Sequence, residues 1–261
     1  MVKKIVGTGV LLVLALALQA GVKMYTLKSP DGKVKLEVTA GQGIAYSLFY
    51  DGRLLLKPSR IALHTDLPEA DHWENIRITG TKQRHVSETV QAPFYRVKEF
   101  GIDCNELELR LNNGFSLLMR AYNDGMAYRF VAGRKGEMTV VEERAEFNFA
   151  DDFEAYIPYS TNPKDPWNMA FQNFYTKAPL TQYNTELPAF LPLTVDAGAV
   201  KLTLLESDLE AYPGMFVCGD GKTPALKGVF AAYPQETFKN KWRCQETVKT
   251  RRPYIARVAG K

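Results

Sequence analysis

Residues 162 to 176, NPKDPWNMAFQNFYT, hold the side chains of this sequence best suited to chemistry outside a core. Two prolines interrupt any strand periodicity there, and one tryptophan, three asparagines and one glutamine fall within the stretch. An indole can stack on the apolar face of a sugar ring while carboxamides hydrogen-bond its hydroxyls. Trp167, Gln172, Asn173 and Tyr175 are the candidate sugar-binding residues on those grounds; a structural loop packed on a sheet edge is the alternative with the same composition. Paired carboxyls, the requirement of glycoside hydrolysis, occur at Glu142-Glu143, at Asp151-Asp152 and as Glu206 with Asp208. Spacing along a strand does not place two carboxyls face to face, and solvated strand faces or turns account for these pairs. His64, His72 and His85 read as surface histidines, because none lies in the strands that would floor a cleft. No catalytic residue is assigned.

Composition frames those residues. The chain has 261 residues, 46% of them hydrophobic and 24% charged, enough for a sizeable core and too apolar for disorder. The formal charge is +4, but Lys3 and Lys4 precede an apolar run; without them 31 basic residues (33 less 2) face 29 acidic ones. No basic stripe emerges, which argues against nucleic acid as a partner. Residues 1–20 read as a secretory signal: Lys3-Lys4, then IVGTGVLLVLALALQA, with the small Ala20 where a peptidase would cut. Its core, VLLVLALAL, is short beside the about 20 apolar residues of a membrane span, and an uncleaved anchor is the alternative. The expectation is a secreted or periplasmic protein, off the membrane once the signal is removed, with one domain over 21–261. Cys104, Cys218 and Cys244 lack metal-ligand spacing; free thiols are expected, with one disulfide as the alternative.

The elements that must position the loop read as strands. KVKLEVTA puts Val34, Leu36 and Val38 on one face and Lys33, Lys35 and Glu37 on the other. Asp51-Gly52 between AYSLFY and RLLLK is a two-residue hairpin signal. His64 to Val90 is polar and weakly patterned, and predicts a long loop with one or two edge strands. ELELRL turns Leu107, Leu109 and Leu111 inward; Asn113-Gly114 and Asn123-Asp124-Gly125 then fold FSLLMRAY and MAYRFVA into a meander. Met126, Tyr128 and Phe130 share a face, so Arg129 points to solvent or to an acidic partner. Further strands follow, EMTVVEE and AEFNF among them, about a dozen or more in all, without βαβ alternation. LLESDLEAYP is the one helical candidate, good for one or two turns. The pattern predicts an all-β fold, a large antiparallel sandwich.

The wording of one hairpin says more. YNDGMAYRF (Tyr122 to Phe130) resembles a signature of the N-terminal domain of glycoside hydrolase family 97. SPDGKVKLEV, YDGRLLLKPSRIAL, CNELELRL, AEFNFADDFEAYIP, NFYTKAPL and LTLLESDLEAYPGM resemble further segments of that domain, in the same order, between Tyr25 and Gly260. The resemblance implies a galactose-mutarotase-like β-supersandwich that precedes a (β/α)8 barrel in exported α-glucosidases and α-galactosidases. Such a domain shapes the site for an α-linked oligosaccharide and docks onto the barrel, which carries the catalytic carboxylates. A barrel needs about 250 residues, and the sequence ends where it should begin, so this chain is expected to have no hydrolase activity of its own. A stand-alone exported carbohydrate-binding sandwich is the alternative. In inverting members of the family, a glutamate of this domain in an ExxYT motif touches a calcium ion. The matching position here is Gln172, whose carbonyl can ligate calcium but brings no charge. Gln172 is therefore the candidate metal contact, and the departure fits a retaining or divergent member. A surface that meets a barrel also predicts exposed aromatic or aliphatic side chains near the Trp167 loop or the C-terminal strand.

Overall fold

The computed structural model describes residues 22–167, 173–239 and 246–260. The signal segment, Gln172 and Cys244 lie outside them. In chain order the first nine strands are β1 (Lys23–Lys28), β2 (Val34–Gly41), β3 (Gly43–Tyr50), β4 (Arg53–Thr65), β5 (Ile78–Gln91), β6 (Glu99–Leu111), β7 (Phe115–Tyr122), β8 (Gly125–Ala132) and β9 (Gly136–Asn148). The rest are β10 (Glu154–Ile157), β11 (Thr176–Pro179), β12 (Leu193–Ala197), β13 (Val200–Leu204), β14 (Met215–Gly219), β15 (Ala225–Phe230), β16 (Pro234–Lys239), β17 (Glu246–Arg251) and β18 (Ala256–Gly260).

The largest sheet runs β1-β2-β3-β4-β9-β15-β14, with β18 added to β9. Val140 of β9 pairs with Thr65 of β4 on one side and with Ala256 of β18 on the other. A second sheet is the meander β5-β6-β7-β8, and a third has the order β11-β10-β12-β13. β16 and β17 form a separate hairpin. All the paired strands are antiparallel, as short turns require between consecutive ones.

Alternation explains why these segments pack as they do. Val34, Leu36 and Val38 are buried on one face of β2, while Lys35 and Glu37 pair at 2.8 Å on the other. Leu107, Leu109 and Leu111 of β6 and Leu117, Met119 and Ala121 of β7 meet them, and the third sheet adds Ala155, Ile157, Leu193 and Val195 to the same core. Asp51 (φ 48°) and Gly52 (φ 78°) both take the left-handed conformation that a tight primed hairpin turn requires. Leu117 is fully buried; Leu117→Ala is expected to lower unfolding stability by about 2–5 kcal/mol, read from urea titration.

Two sequence expectations meet a different structure, one holds, and one element is new. EMTVVEE and AEFNF are one continuous strand, β9, with a bulge where pairing to β4 shifts between His64 and Thr65. The polar stretch after His64 does hold a loop, over 66–77, and then the expected edge strand, the 14-residue β5. LLESDLEAYP is not helical: Asp208 sits at φ 60°, and the side chains of Glu206 and Asp208 bind Met215 and Arg129. The β16–β17 hairpin is an addition; its residues are polar and β16 is exposed throughout, so no period-two pattern marks it.

Candidate functional site

The loop between β10 and β11 reaches β14 and β15. Phe190 and Phe216, each 6% exposed, form a small core apart from the main one, and Trp167 and Val229 pack against it. The Trp167 ring stands edge-on to Phe216, with centroids 5.0 Å apart. The Tyr175 ring lies 6.5 Å from Phe190, and its hydroxyl donates to the Pro192 carbonyl at 3.3 Å. Trp167 and Tyr175 are thus brought to one aromatic shelf, half-buried at Trp167 and 49% exposed at Tyr175.

Asn173 has a different task. Its Nδ2 donates to the Tyr159 carbonyl at 3.0 Å, and its Oδ1 accepts the Phe174 N–H at 2.9 Å. The carboxamide therefore shapes the loop and turns Phe174 outward, leaving that ring 94% exposed. Tyr159 is held in turn by the Asn184 N–H at 2.8 Å and by the Tyr183 ring at 5.0 Å. Tyr183 anchors β14 through its hydroxyl, 2.7 Å from the Val217 carbonyl. It lies so close that a Cβ on Gly219 would stand 2.7 Å from its Cγ. Gln172, the fourth candidate, lies outside the described residues.

Sequence reasoning missed the supports and part of the face. Phe190 and Phe216 carry the shelf but occur in unrelated strand-like stretches. Tyr156, on the exposed face of β10, stands opposite Lys177 of β11, two residues after Tyr175. That alternation was readable; the pairing of the two strands was not.

The acidic pairs separate into different environments. Asp152 accepts the Thr181 N–H at 2.9 Å and its hydroxyl at 2.6 Å. Glu142 is exposed, whereas its neighbour Glu143 is half-buried and accepts the Tyr212 hydroxyl at 2.6 Å. Burial pushes the Glu143 carboxyl up to about 7, and the nearby Glu206 carboxylate adds to the shift. Asp208 pairs with Arg129 at 3.0 Å, an acidic partner on the exposed face of β8. His64 of β4 meets Asp71 at 2.6 Å; His85 lies in β5, so one histidine does fall in the meander, contrary to the sequence expectation, but it sits exposed on the edge strand and meets Asp103 at 3.0 Å. Cys104 is a buried free thiol and Cys218 a half-buried one, and burial raises both. Among the described residues no three His, Cys, Asp or Glu side chains are grouped to hold a metal ion.

The loop thus presents an aromatic shelf, and the carboxyls named above hold hydrogen bonds and ion pairs within the fold. The chain is 39% identical over 251 residues to a retaining alpha-galactosidase of Bacteroides thetaiotaomicron, which covers 93% of this chain and 38% of that protein. It is 26% identical over 158 residues to a probable retaining alpha-galactosidase of Streptomyces bingchenggensis, covering 59% of this chain and 24% of that protein. Its fold matches a crystal structure of beta-arabinopyranosidase with a TM-score of 0.70 at 19% identity, over 93% of this chain and 38% of that one. It also matches a Glycoside Hydrolase Family 97 enzyme in complex with Acarbose, from Pseudoalteromonas sp. strain K8, with a TM-score of 0.64 at 18% identity over 79% of this chain and 32% of that one. The chain thus spans less than two-fifths of the length of each of these proteins. The all-β supersandwich is the fold they share with it, and the sequence profile of the glycosyl-hydrolase 97 N-terminal domain matches residues 27–252. The chain therefore belongs to the glycosyl-hydrolase 97 N-terminal family.

Proposed function

We propose that this chain is the site-shaping domain of an exported α-glycosidase, acting on α-linked oligosaccharides with α-galactosides preferred. The observation that carries the reading is the aromatic shelf of Trp167 and Tyr175 on a loop fixed by Asn173. The names of the two relatives favour galactose and a retaining outcome. In this reading the bond-breaking carboxylates belong to a (β/α)8 barrel of about 250 residues, on which the domain docks. Calcium, where bound, takes its charged ligands from that barrel, and the contact this chain offers is the neutral carbonyl of Gln172. The signal over residues 1–20 directs export to the periplasm or beyond, and residues 21–261 act as one domain. No helix among the described residues is long and apolar enough to cross a membrane.

The test is hydrolysis of an aryl α-galactoside by protein expressed from the full reading frame, beside the 261-residue chain alone. Turnover is expected from the longer protein and none from the chain. Turnover by the chain alone would overturn the reading. A frame that stops at Lys261 would leave the stand-alone binding module, which calorimetric titration of the chain with melibiose then tests. Trp167→Ala is expected to weaken sugar binding by about 1 kcal/mol, roughly fivefold, through lost stacking, read as a raised KM or Kd. An unchanged constant would remove Trp167 from the site.

A further inference from the structure

The segment from Leu205 to Gly214 has no ladder of its own, yet three side-chain contacts fasten it. The Tyr212 hydroxyl donates to Glu143 Oε2 at 2.6 Å. Arg129 of β8 pairs with Asp208 at 3.0 Å. Glu206 Oε1 accepts the Met215 N–H at 2.7 Å, where the segment enters β14. The Tyr212 ring meets Phe230 edge-on at 5.7 Å, and Tyr128, Tyr212, Met215 and Phe230 pack together against the core. Asp208 sits at φ 60°, a left-handed conformation that a residue with a Cβ adopts at a cost. A segment fastened by side chains on a strained backbone closes or opens with the state of those side chains.

We propose that Leu205–Gly214 is an acid-locked strap, closed over Glu143 while that carboxyl carries a proton and loosened when it ionises. Glu143 is faced by Tyr212 and Glu206 from the strap and by Tyr128 from β8, with Tyr46 of β3 behind Tyr128 at 5.9 Å. Its cross-strand partner on β4 is the uncharged Leu63. No cation pairs with it among the described residues, and Arg129 is engaged with Asp208. Opening hydrates Glu143 and separates it from Glu206, returning it to the ordinary carboxylate range. The closed strap holds the proton more tightly, because burial raises Glu143 from 4.5 to about 7 and also raises Glu206. Closure is therefore favoured most below the ordinary value, weakens as pH rises through the window between the two, and levels off above the higher.

The experiment is backbone hydrogen exchange on the 261-residue chain at pH 5 and pH 8, corrected for intrinsic exchange. Protection of the Met215 amide is expected to fall at least ~10-fold between those pH values, while the amide of Leu117 in the second sheet keeps its protection. Glu143→Gln should cut the fall to less than half, leaving the part that Glu206 carries, and Glu142→Gln, on the exposed face, should keep it whole. Equal protection of Met215 at both pH values overturns the strap, as does a fall undiminished in Glu143→Gln or one that Leu117 shares. Should Glu143→Gln not fold, Tyr212→Phe gives a second reading. It removes the hydrogen bond that opposes the shift, so the midpoint of the fall moves to higher pH; an unmoved midpoint overturns the assignment.

Discussion

Glu106→Ala is expected to cost about 1–3 kcal/mol of unfolding stability, the usual effect of losing charge-assisted hydrogen bonds at a buried carboxylate whose cationic partners keep access to water. Glu106 is 5% exposed and lies at the centre of the meander. Register places Arg84 of β5 directly opposite it on one side and Arg120 of β7 on the other. Both guanidinium groups reach it through Nε, at 2.6 Å from Arg84 and 2.8 Å from Arg120. Removing the carboxylate leaves two like charges flanking a void. Burial works against ionisation of Glu106, but the hydrogen bonds from the two arginines outweigh it and hold the carboxyl below its ordinary range. A depressed carboxyl stabilises the fold above its unfolded value, and that contribution is lost as pH falls through its folded value. Urea titrations from pH 7 down to pH 3 should therefore show the gap between the parent and Glu106→Ala narrowing in acid. A gap below about 1 kcal/mol at pH 7 would mean that the triad is no better than an exposed ion pair.

Glu143→Gln is expected to act in the opposite direction. Its folded value is raised to about 7 against an ordinary 4.5. Protonation favours the native state between those values, so the parent loses stability as pH rises through them and gains none back above. Glutamine keeps the shape and the acceptor for Tyr212 without the ionisation. The variant should be more stable than the parent by about 1–2 kcal/mol at pH 8, less than the full displacement implies because the site is only half-buried. It should show no advantage at pH 4. Thermal melts at the two pH values decide it, and a variant less stable at pH 8 would show that the charge itself is needed.

Local alternation carried most of the fold, and contacts between distant segments carried the rest. Val34, Leu36 and Val38, or Leu107 and Leu109, sit where period-two reading puts them, because one face of each strand is buried. The Asp51-Gly52 turn is legible because few residue pairs accept that backbone. β9 reads as two strands because Val140-Val141 breaks the alternation, and only its pairing with β4, β15 and β18 makes it one. LLESDLEAYP, residues 204–213, reads as helical because its acids suit a first turn, whereas in the fold they are drawn to Arg129 and Met215. At the site, the unusual composition of the 162–176 loop marks Trp167 and Tyr175 as candidates. The supporting Phe216 and the proton-holding pair of Glu143 and Tyr212, 69 residues apart, depend on strand neighbours that no local pattern announces.

The placement of β9 also bears on how the molecule is made. β4 waits for a neighbour until the whole β5–β8 meander has been synthesised, and β9 then waits for β15 and β18 near the end of the chain. Neighbouring strands of the meander pair across short turns, so its contacts are local and form early. The β1–β4 half of the large sheet is equally local, but its closure through β9 is late and non-local, and until then β4 is an open edge on a nascent chain, the kind of exposure that invites aggregation. Vectorial folding of this domain therefore begins in two local units, β1–β4 and β5–β8, and finishes where β9 joins β4, β15 and β18.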